Sequence, residues 1–204
     1  MRWILCALLC AGSGLAADGP RIIYTKSFPG STPPYVEIAI QKDGSGSYRE
    51  DAKDDDPLTF RLSEDANSQI WALSDKLDHF GRKLESGLKV ANMGTKTLRY
   101  ESGEGSKEAK FNYSEDPDAR ALIDLFEQIS ESQRAYIALE TAVRFDKLGA
   151  QDAILRVEML HDQKRLMPET EFLPLLDRVA GNESFIHMAR ERAANLADEI
   201  RKPK

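Results

Sequence analysis

Glycine is spread very unevenly along this 204-residue chain. Nine of the 13 glycines lie between residues 17 and 115, and only Gly149 and Gly181 follow residue 116. Glycine supplies the backbone freedom that turns need and costs about 1 kcal/mol against alanine inside a helix. The chain is therefore predicted to combine two architectures: strands and turns with one inserted helix first, then helices.

Within residues 17–115, residues 21–28 form a β-rich run, and 35–41 follows the breakers Pro29-Gly30 and Pro33-Pro34 with only loose alternation. Asp43-Gly44-Ser45-Gly46 is a tight-turn signal that returns the chain through Ser47-Tyr48-Arg49 as a hairpin partner. Beyond an acidic loop from Glu50 to Asp56, Leu58, Phe60 and Leu62 alternate as one buried face of a strand. Ser63 is placed as a helix N-cap, with Glu64 and Asp65 at the positive end of the helix dipole. Ile70, Leu73, Leu77 and Phe80 form the apolar stripe of a helix that ends at Gly81. Strands over 96–101 and 108–113 flank the turn 102–106. The expected fold class is α+β: an antiparallel sheet of two hairpins plus a strand with one packed helix, followed by an all-α C-terminal half.

That second half starts at Asp116-Pro117, with proline in the first helical turn where its missing N–H costs nothing. Apolar spacing predicts four or five short antiparallel helices, over 118–129, 133–148, 151–166, 170–180 and 183–201. Ser130 and Gln133 read as a capping box between the first two, Gly149 and Gly181 as C-terminal stops, and Asn182 as the N-cap of the last. Residues 17–115 are assigned to the α+β domain and 116–204 to the helical region. No Pro/Ser/Gly-rich linker separates them, so the helix after 116 is expected to complete the core of the sheet.

Residues 1–16 read as a secretory signal peptide: Arg2, an apolar run from Trp3 to Ala11, then small residues, with cleavage after Ala16 or Ala17. The run is about half the roughly 20 residues that a bilayer span requires. Leu5 and Leu9, preceding Cys6 and Cys10, do not suit lipid attachment. Both cysteines lie in this leader, so the exported chain is expected to be cysteine-free, without disulfides, thiolate nucleophiles or sulfur-ligated metals. With 34 acidic against 28 basic residues and a net charge of −6, the chain offers no clustered basic face for nucleic acid.

Several groups of residues invite a chemical reading. Glu158 and His161 share one helix face at the spacing used in carboxylate-bridged di-iron bundles, but such a site needs a second copy, and Glu183 with His187 has the wrong spacing. Glu50, Asp51, Asp54, Asp55 and Asp56 supply hard oxygen ligands of the kind calcium accepts, without EF-hand order, since Tyr48 stands where that loop turns on glycine. His79, His161 and His187 are the candidate general bases, and no Gly-x-Ser-x-Gly or His-Glu-x-x-His motif accompanies them. Asn112-Tyr113-Ser114 and Asn182-Glu183-Ser184 match the glycosylation sequon. Tyr24, Tyr35, Tyr48, Trp71, Tyr100 and Tyr113 are expected mostly in the core or on the sheet, where exposed tyrosines also make recognition surfaces. Residues 29–34 read as a strand connector.

No residue is assigned as catalytic, cofactor-binding or metal-ligating on this basis. The expected function is that of an exported, non-enzymatic binding module of the bacterial envelope or extracellular space, engaging another protein or envelope component through its sheet face or the groove between its helices. An alternative is a secreted hydrolase, metal-assisted or serine-type, which requires His161 or His79 in a pocket beside a carboxylate or serine. A helical assembly partner is the third reading, and it requires a contiguous exposed apolar patch.

Overall fold

A computed structural model describes residues 19–202. Residues 1–18, on which the signal-peptide reading, Cys6, Cys10 and the expected cleavage position fall, and the Pro203-Lys204 end lie outside the described residues. Six strands, β1 (Arg21–Ser27), β2 (Tyr35–Gln41), β3 (Ser45–Arg49), β4 (Leu58–Arg61), β5 (Thr95–Ser102) and β6 (Gly105–Phe111), form one antiparallel sheet in the order β4-β3-β2-β1-β5-β6. Helix α1 (Glu64–Lys76) lies between β4 and β5 in the chain, and α2 (Pro117–Phe145), α3 (Ala150–Asp162), α4 (Leu173–Ala180) and α5 (His187–Arg201) follow the sheet. The α+β class and the helical second half are as the glycine distribution predicts.

Register explains which side chains meet. Across the covered face Ile40, Ile22 and Tyr100 lie opposite one another in one row, and Ile38, Tyr24 and Leu98 in the next. β2 alternates strictly, with Val36, Ile38 and Ile40 buried; Ala39, an apolar residue on the other face, is what blurs the pattern in the sequence. The open face carries ion pairs, Arg21 with Glu101 at 2.7 Å and Arg49 with Glu37.

Ser63 caps α1 as expected, its hydroxyl accepting from the Ala66 N–H at 3.3 Å. The helix ends at Lys76, however, five residues before Gly81. Asp78, His79 and Phe80 take left-handed conformations (φ 53°, 50° and 69°), a costly backbone for non-glycine residues. Phe80 is fully buried by this turn, so the apolar periodicity through Leu77 and Phe80 reports burial while the helix itself has ended.

The long helix α2 corrects the expected break near Ser130. It runs 29 residues without interruption through both Ser130 and Gln133, and polar side chains of this stretch find partners in a neighbouring segment. The buried Ser132 hydroxyl accepts from the Met167 N–H at 2.8 Å and donates to the Gln128 carbonyl at 2.8 Å. Gln133 donates to Glu171 at 3.1 Å, and Arg165 forks onto Glu131 at 2.7 and 3.2 Å. The first half of α2, through Ile129, joins the core of the sheet together with α1, while Ala135, Leu139 and Val143 belong to a second apolar cluster with α3, α4 and α5.

Two further caps differ from expectation. Gly149 precedes the first residue of α3 instead of ending the helix before it; α2 ends at Phe145, and Asp146 accepts from the Gly149 N–H at 3.0 Å. Asn182 caps a short turn, accepting from Ser184 N–H at 3.0 Å, and α5 begins only at His187. Gly181 does end α4.

Candidate functional site

Two concavities stand out among the described residues. The larger, about 1150 Å³, opens between the start of α1 and the segment joining α3 to α4, with the end of α5 at its side. Arg61, Lys164 and Lys202 give it positive charge and Asp65, Asp162 and Glu169 negative charge. His161 stands in its wall with its side chain 17% exposed, Nδ1 lying 3.5 Å from Glu169 Oε1 and Nε2 4.0 Å from Glu199 Oε2. Nδ1 is buried and makes no hydrogen bond. The one serine in the lining, Ser63, spends its hydroxyl on the α1 cap.

Glu158 does not join His161. It pairs with Arg192 of α5, so the Glu-x-x-His pattern is divided between a structural ion pair and the cleft. His79 lies 3.0 Å from Asp75, and its ring centroid is 4.2 Å from that of Tyr100. His187 is 86% exposed. Of the three histidines, only His161 therefore lines the large cleft.

The acidic loop is engaged locally. Glu50 accepts from the Tyr48 hydroxyl at 2.7 Å and lies 3.5 Å from Arg134, while Asp51 and Asp54 accept from the Lys53 and Asp56 backbone N–H groups at 2.9 and 3.0 Å. Among the described residues no group of three or more His, Cys, Asp or Glu converges to hold a metal ion. Tyr24, Tyr48 and Trp71 are buried. Burial pushes the Tyr24 and Tyr48 hydroxyls well above the usual phenol range, with Glu127 and Glu50 as hydrogen-bonding acceptors adding to it. Tyr35, on the open face, is raised to about 12 by partial burial and its bond to Glu37.

The smaller concavity, about 400 Å³, lies between the ends of β1, β5 and β6 and the first turns of α2. Its chemistry comes from two lysines. Lys26 and Lys96 are directly opposite each other in the β1–β5 register, in a row that continues to Val36 on one side and Phe111 on the other. Like charges in that position repel. Glu127 of α2 accepts from Lys26 Nζ at 2.8 Å and from the Tyr24 hydroxyl at 3.2 Å. Lys96 is only 8% exposed and donates to the Asn112 carbonyl at 3.0 Å. Burial, reinforced by Lys26, holds its ammonium below the ordinary lysine value, against the pull of Glu127 and Glu85.

Sequence reasoning passed over this pair, although a signal exists. Lys96 shares strand parity with Leu98 and Tyr100, and Lys26 with Ile22 and Tyr24, so each charge sits in the apolar phase of its strand. No family model matches this chain, and neither does any curated protein.

Proposed function

We propose that this chain is an exported, non-enzymatic binding protein whose interaction site is the large cleft between α1 and the α3–α4 segment, engaging a segment of another envelope or extracellular protein. Support for export comes from the leader pattern of residues 1–16. The observation that carries the binding reading is the mixed-charge cleft, about 1150 Å³ and open to solvent, in which both signs of charge face an incoming chain. Complementary charge of this kind selects a partner and its register.

The test is site-specific photocrosslinking in the native organism. A photoreactive residue at Gln69 or Thr170 is expected to capture a discrete protein, while the same group at Lys110, on the exposed edge strand, captures none. Reversing charge with Arg61→Glu and Lys164→Glu should reduce capture several-fold. Equal capture from all three positions, or none from the cleft, would reject the reading. For export, mass spectrometry should find native material beginning at Ala17 or Asp18, and an intact Met1 in the cytosolic fraction would reject it.

His161 favours the hydrolase as a second reading, since it lines the cleft beside Glu169. Ester or peptide hydrolysis that is abolished by His161→Asn, with the crosslink unchanged, would put that reading first.

A further inference from the structure

The Lys26–Lys96 pocket lies apart from the large cleft and is built differently. Its floor is the lysine pair on the covered face of the sheet, and its walls include Phe111, Ile123 and Met93. Every nearby acid is already engaged: Glu127 with Lys26 and Tyr24, Asp124 with Arg165 and Gln128, Glu85 with the Asn112 N–H at 2.7 Å. Arg120 adds a further positive charge to the lining.

Among the described residues Lys96 makes no ion pair within 4.0 Å, and its hydrogen bond goes to a backbone carbonyl. An ammonium carries three donors. A buried cation with so little compensation is unfavourable unless an anion reaches it, and an incoming anionic oxygen would make charge-assisted bonds to it. The mouth points to the rest of the ligand. Met93, an apolar residue of the lining, is 41% exposed and continues the apolar wall of Phe111 and Ile123 out to solvent. A volume of about 400 Å³ is in the range of small-molecule sites.

We propose that this pocket binds a small amphipathic carboxylate, its headgroup against Lys96 and Lys26 and its apolar body along Phe111, Ile123 and Met93. The lysine pair supplies the reason for an anion, and the apolar walls and exposed rim supply the reason for an apolar body.

Isothermal titration of the full chain with decanoate and with decanol separates the headgroup from the chain. Decanoate should saturate one site at least about tenfold more tightly than decanol, the difference expected of a charge-assisted contact. Lys96→Met should remove that preference and leave decanol binding within about twofold, because the substitution deletes the charge and keeps an apolar stem of similar length. Met93→Ser, on the exposed rim, should weaken decanoate and decanol alike by about threefold or more, since it removes apolar contact without touching the core. Far-UV circular dichroism of each variant should match the parent. Equal affinity for decanoate and decanol, an unchanged preference in folded Lys96→Met, or no saturable decanoate binding overturns the proposal. Inorganic phosphate binding as tightly as decanoate also overturns it, because a site satisfied by charge alone has no use for the apolar wall.

Discussion

Gly46 shows how much one absent side chain can decide. It sits on the covered face of β3 opposite Phe60, and a Cβ there would lie 2.5 Å from the Phe60 ring and 3.0 Å from Ile40. Both neighbours are buried, so neither ring nor methyl has free space to yield. Gly46→Ala is expected to destabilise the fold by about 1–3 kcal/mol through overpacking, read as a lower urea midpoint at unchanged slope. At Glu171 the cost lies in charge. Burial raises this carboxyl above its ordinary value, only partly offset by the Gln133 amide, so the ionised form is disfavoured in the folded state. Such a group contributes stability below the unfolded carboxyl value and loses it as pH rises through the folded one. Gln133 Oε1 is also buried without a partner, and an amide at 171 could donate to it. Glu171→Gln should therefore be more stable than the parent at pH 7, with the advantage shrinking by pH 4; a parent more stable at pH 7 would contradict this.

Helix α2 is the element on which the others depend. Its apolar residues serve the sheet core through Ile129 and the helical core from Ala135 onward, and between them Ser132 and Gln133 are fully buried. When only the local chain is considered Gln133 reads as the cap partner of Ser130, yet Gln133 and Ser132 both reach outside the helix. Their partners come from residues 165–171, more than thirty positions away. Ser132→Ala leaves the Met167 N–H without its acceptor and should cost about 1–3 kcal/mol, the penalty of an unsatisfied buried donor. Helical content should be unchanged, so thermal melting would record the loss while the circular dichroism spectrum of the folded protein stays the same.

At the scale of the molecule, sharing one 29-residue helix couples the two cores. Trp71 reports on the sheet core, whereas far-UV circular dichroism is dominated by helix, most of which follows residue 116. Urea transitions followed by fluorescence and by circular dichroism should coincide, as for a cooperative unit. Separate midpoints would show that the helical cluster unfolds independently despite α2. The two concavities lie at different places in this arrangement: the large cleft where residues 161–170 approach α1, and the lysine pocket where the start of α2 covers the ends of the strands.

Strand parity, the cap at Ser63, the proline start of α2 and the split between a sheet and a helical half were legible in the amino-acid order, because each depends on neighbours within a few residues or on a repeat of two or 3.6 positions. The left-handed turn at Asp78–Phe80, the continuity of α2 through Ser132, the pairing of Glu158 with Arg192 and the meeting of Lys26 with Lys96 were decided only by tertiary structure. These contacts join residues far apart in the chain, and desolvation alters a lysine or glutamate only once distant segments have enclosed it.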